Sequence, residues 1–152
     1  MMALWGEPGQ HPAPADYTGD GLADLGAYNP NDGIFWVNDG HQTSGLYFDL
    51  DAGIPVPADY DADGRADLAV YDPYTGYWDV RSYDIATGAN HVITQAYWGG
   101  PSSVPVPGNY VGGPELELGT FDTSSLTWSI ADLSGVSLGS APWGAAGDMP
   151  VQ

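Results

Sequence analysis

Short apolar runs, each bounded by glycine, proline or acidic residues, cut the chain into strand-length pieces. The most apolar of these occupy residues 22–28, 66–71 and 116–121. Runs of this length between turn residues predict buried strands. Each is followed by a turn (29–33, 72–76 and 122–125) and then by a piece centred on Trp36, Trp78 or Trp128. A further segment closes each unit, at 45–50, 92–98 and 136–143. No stretch sustains a helical period with cap signals, and the spacing of proline and glycine would break one. The pattern predicts an all-β fold.

The units are copies of one another. His11-Pro12-Ala13-Pro14-Ala15-Asp16-Tyr17 recurs as Ile54-Pro55-Val56-Pro57-Ala58-Asp59-Tyr60, and again as Val104-Pro105-Val106-Pro107-Gly108-Asn109-Tyr110. Asp148-Met149-Pro150-Val151-Gln152 begins the same phrase a fourth time, so the offsets are 43, 50 and 45 residues. A period in this range, with four strand-like pieces per copy, predicts β-propeller blades. The blades are expected at about 11–53, 54–103 and 104–148, each a four-stranded antiparallel sheet, with partial repeats at 3–10 and 149–152. Trp36, Trp78 and Trp128 read as one repeated position, and Trp5, Trp98 and Trp143 as another. Aromatic residues repeated once per blade are expected to fill the space between neighbouring sheets. Tyr17, Tyr60, Tyr110, Tyr28, Tyr71 and Phe121 fall in the same class.

Charge changes the picture. Twenty acidic residues face only Arg65 and Arg81, for a formal net charge of −18. Such a balance argues against nucleic acid and anionic membrane surfaces as partners, and favours cations. There is no cysteine, hence neither disulfide nor thiolate metal site. No run of about 18 apolar residues is present to span a membrane. The opening residues 1–5 lack the basic stretch and apolar core of a signal peptide.

The acidic residues cluster. In the second copy Asp59, Asp61, Asp63 and Asp67 stand at loop positions one, three, five and nine, with Gly64 at six. Calcium is a hard cation that takes six to eight oxygens, and alternate carboxylates in a tight turn supply them. Gly64 permits the positive φ of a chain curling round an ion. Arg65, at position seven, is expected to offer its backbone carbonyl and leave its side chain in solvent. The first copy keeps the pattern with Asp16, Thr18, Asp20, Gly21, Leu22 and Asp24, in which Thr18 offers a neutral oxygen and Leu22 a carbonyl. The third copy has Asn109, Val111, Gly113, Pro114, Glu115 and Glu117, and no calcium is expected there. An EF-hand is excluded, because position twelve is Ala27 or Val70 inside an apolar strand.

The phrase running from Pro55 through Asp59, Asp61, Asp63, Gly64 and Asp67 to Tyr71, with Trp78 following, resembles the FG-GAP/VCBS family of propeller repeats. The likeness extends over nearly the whole chain, closest in the second copy and most degenerate in the third. It implies calcium in the loop between the first and second strands of a blade. The family spans integrin-like heads, lectins and accessory regions of secreted enzymes, so it implies a scaffold rather than one ligand.

Three blades are fewer than the four to eight of a typical propeller. The expected remedy is self-assembly, with two chains giving six blades and three chains giving nine, or membership of a larger propeller. Leu4-Trp5-Gly6 and Pro142-Trp143-Gly144 stand at the same phase of the repeat. The expected role is a calcium-stabilised binding module outside the cytoplasm, recognising glycan or protein through irregular connections such as 38–44 and 83–91. The alternatives are a purely structural self-assembling or designed fragment and a non-catalytic accessory domain of a secreted hydrolase. Catalysis is not expected. The clustered carboxylates already match a metal loop, His11, His41 and His91 share no repeated position, and no Gly-x-Ser-x-Gly elbow occurs.

Overall fold

The structure, a computed structural model, describes residues 5–150. Residues 3, 4, 151 and 152 of the expected partial repeats lie outside the described residues. The fold is all-β, with three four-stranded antiparallel sheets and no helix among the described residues. The first sheet holds β1 (His11–Pro12), β2 (Leu25–Asn29), β3 (Ile34–Asn38) and β4 (Thr43–Tyr47). The second holds β5 (Ile54–Pro55), β6 (Leu68–Asp72), β7 (Tyr77–Tyr83) and β8 (Asn90–Tyr97). The third holds β9 (Ser103–Pro105), β10 (Leu118–Asp122), β11 (Thr127–Ala131) and β12 (Ser137–Pro142). Within each sheet every strand pairs with its successor in the chain.

Aspartate and asparagine make the turns. Asn29, Asp72 and Asp122 each accept the amide two residues on, at 2.8–3.0 Å, and so start the hairpin between the second and third strands. Asp39, Asp84 and Asp132 do the same for the connection to the fourth strand. A short carboxylate or amide that bonds its own backbone is the standard means of nucleating a tight turn. The irregular connections 38–44 and 83–91 are thus aspartate-capped turns, and part of the acidity of the chain is turn chemistry.

The hairpin register corrects one expectation. Tyr28 pairs with Phe35, Tyr71 with Trp78 and Phe121 with Trp128. Phe35, not Trp36, therefore occupies the position of Trp78 and Trp128. Successive side chains on a strand point to opposite faces, so this single step puts Trp36 on the other side of its sheet. At the sheet ends the series of Trp5, Trp98 and Trp143 is filled in by a phenylalanine. Phe48, Trp98 and Trp143 all donate their amides into the hairpin turn of their own sheet, to Gly33, Gly76 and Leu126. Phe48 thus holds in the first sheet the place that tryptophan holds in the others.

The sheets stack in chain order, so each has an upstream face, toward the preceding sheet, and a downstream face. One core lies between the first and second sheets, where Tyr17, Tyr28, Phe35, Val37 and Phe48 meet Leu68, Val70, Tyr83 and Ile85. A second lies between the second and third, where Tyr60, Tyr71, Trp78, Val80 and Ala96 meet Leu118 and Ala131. Covering an aromatic of this size is worth about 1.5–3 kcal/mol. Among the described residues only the second sheet has a neighbouring sheet on both faces. Leu68 to Tyr71 of β6 are all fully buried, and Trp78 is too.

Candidate metal centre

The acidic loops join the first and second strands of each sheet, and the same frame builds all of them. A two-residue bridge closes each loop, between Ala15 and Asp24, Ala58 and Asp67, and Gly108 and Glu117. The acid at position nine then turns inward to accept the amide at position two. Tyr17 donates to Asp24 Oδ2 at 2.9 Å, Tyr60 to Asp67 Oδ2 at 2.8 Å, and Tyr110 to Glu117 Oε2 at 2.6 Å. The tyrosine at position two anchors the frame from beneath. Its hydroxyl donates to the carbonyl four residues back, Ala13, Val56 or Val106, at 2.6–2.7 Å. Position nine is consequently buried although it is an acid.

Position one organises the tip. Asp59 accepts the amides of Asp63 at 3.0 Å and Gly64 at 2.9 Å. Asp16 accepts those of Gly19, Asp20 and Gly21 at 2.7–3.1 Å. Burial pushes the Asp16 carboxyl up, but the amides of Gly21, Gly19 and Asp20 outweigh it and hold the group below the usual aspartate range. Gly21 and Gly64 both take the left-handed conformation expected at position six, with φ of 86° and 91°. Position four is left-handed as well: Gly19 at 76°, Gly112 at 85°, and in the second loop Ala62 at 61°. The sequence reading missed position four, and the glycines in the other two copies were its signal.

In the second loop the carboxylates of Asp59, Asp61 and Asp67 converge, with one oxygen from each lying within 4.8 Å of the others. It is the one such group of three among the described residues. Asp63 is not a member, because its carboxylate accepts the Arg65 amide at 2.9 Å and pairs with the Arg65 guanidinium at 3.5 Å. The Arg65 side chain is therefore not free in solvent. It lies along the first loop, close enough that a Cβ on Gly19 would stand 2.8 Å from its Cγ. In the first loop Asp20 folds back to accept the Leu22 amide at 2.8 Å, and Thr18 donates its hydroxyl to Asp16 at 3.4 Å. In the third loop Asn109 spans the tip, accepting from Gly112 and donating to the Gly113 carbonyl.

The three loops touch in sequence. The Ala66 amide donates to the Asp16 carbonyl at 2.7 Å, and the Leu116 amide to the Tyr60 carbonyl at 3.2 Å. The electrostatics of the second loop are unfavourable to bare carboxylates. Burial pushes Asp67 up to about 7; the Tyr60 amide opposes this, while Asp61, Asp63 and Asp59 add to it. A divalent cation bound here would remove that penalty. The donors are all oxygen, which suits calcium or magnesium and not a soft metal. The converging carboxylates of Asp59, Asp61 and Asp67 could hold such an ion.

No protein-family profile, curated protein or solved structure matches the chain.

Proposed function

We propose that this chain is a calcium-stabilised module of FG-GAP/VCBS-type β-propeller architecture, serving as a non-catalytic binding scaffold outside the cytoplasm. The observation that carries the reading is the convergence of Asp59, Asp61 and Asp67 on one point of a curled, glycine-tipped loop. Support comes from the first loop, which repeats the same amide-to-carboxylate frame around Asp16 and Asp24. Calcium at millimolar levels outside the cell would fill a loop of ordinary affinity. Bound calcium would supply positive charge between buried and half-buried carboxylates and so clamp the first two strands of a sheet. The chain's own contribution is the geometry: Tyr60 and its Val56 bond fix Asp67, and Gly64 bends Asp59 and Asp61 toward it.

Calorimetric titration of the chelated protein with calcium chloride tests the reading directly. One or two binding events are expected, the tighter lost on Asp61→Ala. Absence of heat and of any thermal shift at millimolar calcium would refute it.

A second reading, glycan recognition, is favoured by the groove between the second and third sheets. It measures 370 Å³, and Trp98, Ser102, Ser103, Asp122, Ser125 and Ser129 line it. An indole beside hydroxyls and a carboxylate offers a sugar ring both a stacking face and hydrogen-bond partners. A glycan array probed with wild type and Asp122→Ala is the check; identical blank arrays would remove this role.

A further inference from the structure

We infer that the downstream face of the third sheet is a docking surface for the upstream face of the first sheet of a second copy of this chain. The inference does not depend on calcium. It comes from six positions that recur on the downstream faces of the second and third sheets. In the second sheet they are Tyr60, Tyr71, Trp78, Val80, Ala96 and Trp98, packed beneath the third sheet. Their counterparts in the third are Tyr110, Phe121, Trp128, Ile130, Ala141 and Trp143, by the same hairpin registers. There, no further sheet covers them among the described residues. Tyr110 is 42% exposed and Trp143 73% exposed, whereas Tyr60 is wholly buried. A 480 Å³ groove runs along this face, lined by Tyr110, Trp128, Ile130 and Trp143.

One polar atom marks what is missing. The Trp78 indole donates to the Trp98 carbonyl at 2.8 Å, and the Trp98 indole in turn donates across the seam to the Ser129 carbonyl at 3.1 Å. Trp128 occupies the place of Trp78, and its buried indole nitrogen has no partner. A buried donor without an acceptor is costly, and in the second sheet, where a neighbour packs on this face, the equivalent donor is satisfied.

The complementary face is exposed in the same molecule. Upstream faces present leucine at the start of the second strand: Leu68 and Leu118 are fully buried against the preceding sheet, but Leu25 is 52% exposed. Trp36 stands beside it, at the register position that Ser129 holds in the third sheet. Among the described residues, both halves of an interface already made twice within the chain thus lack a neighbouring sheet, one at each end of the stack. A face-to-face contact repeated head to tail closes when the rotation permits, and two copies joined at both seams carry six sheets.

Light scattering on the eluting protein, across micromolar concentrations and in calcium or chelator, provides the test. The expected mass is twice 16.0 kDa. Two copies of charge −18 repel, so added salt should strengthen the association. Leu25→Asp spoils one face and Ile130→Asp the other, and each alone is expected to give monomer. An equimolar mixture of the two is expected to regain dimer, because one intact pair of faces remains. Trp143→Asp replaces Ile130→Asp if circular dichroism shows the latter unfolded, since the Trp143 side chain is 73% exposed. A monomeric wild type at every concentration, which would leave this face to some other occupant, overturns the inference. So does an oligomer that neither substitution disturbs. Dimer formed in chelator separates this result from any failure of calcium binding.

Discussion

The indole nitrogen of Trp98 donates to the backbone carbonyl of Ser129 at 3.1 Å, joining the residue just after the last strand of one sheet to the third strand of the next. Strand-to-strand bonds end at the edge of each sheet, so the sheets cohere through side chains and a few bonds of this kind. At the equivalent point of the first seam Phe48 stands instead, with the Arg81 guanidinium 4.8 Å above its ring. Arg81 is held there by a paired contact with Asp79 at 2.7–2.8 Å. The two seams reach the same end by different chemistry, one a hydrogen bond and the other a cation over an aromatic face.

Trp98→Phe is accordingly expected to keep the fold and lose about 1–2 kcal/mol, from the missing bond and reduced contact. Urea denaturation measures it. The ring size is tolerated at this position, as Phe48 demonstrates, so a loss beyond 4 kcal/mol would contradict the account.

Calcium is expected to raise the melting temperature, by about 2.7 kcal/mol of stabilisation when its concentration is ~100 times Kd. Asp61→Ala and Asp67→Ala should abolish most of that gain. Asp63→Ala should remove less, since its carboxylate turns to Arg65 instead of the convergence point. Differential scanning fluorimetry with and without chelator ranks the three. Asp63→Ala proving the most damaging would assign the site differently.

The metal-free protein is expected to lose stability as pH rises from about 4 to 7. Burial raises the folded pKa of Asp67 to about 7, well above the ~3.9 of a free aspartate. Between those values the folded state holds a proton that the unfolded chain has released, so the slope of stability with pH is negative. Above 7 the penalty is complete and the curve flattens. In chelator, the melting temperature should therefore be higher at pH 5 than at pH 8, and Asp67→Asn should erase the difference. Calcium inverts the trend, because the ion needs the carboxylate ionised.

Ala62→Gly is expected to stabilise. Ala62 sits at φ 61°, where its Cβ is strained, while both sister loops place glycine there. Relief of strain outweighs the added freedom of the unfolded chain by roughly 0.5–1 kcal/mol. Thermal melts should show a rise of about 2–4 °C per kcal/mol in a chain of this size. A fall would mean the loop is not left-handed at this residue.

Much of the fold was legible in the chain. Turn residues and short apolar runs marked the strands, and the repeated Pro-x-Pro-Ala-Asp-Tyr phrase marked the units. Errors came at strand starts and in register. The apolar runs were read from residues 22, 66 and 116, but the first two or three residues of each belong to the acidic loops. Trp36 was aligned with Trp78 by residue type, although the 43-residue offset points to Phe35. Residue identity is a poor guide where a single step changes the face.

What the sequence determined by itself was order along the chain: an all-β class, the phase of each repeat, the loop that gathers aspartates and the glycine that bends it. These rest on local chemistry, since alternation, turn capping and positive φ involve neighbours a few residues apart. Only the tertiary structure decided which carboxylates meet, that Asp63 turns to Arg65, and that Trp78 is buried while Trp128 has a stranded donor. Those outcomes depend on what lies across a seam 30 or more residues distant, and no period along the chain encodes whether a face has a neighbour.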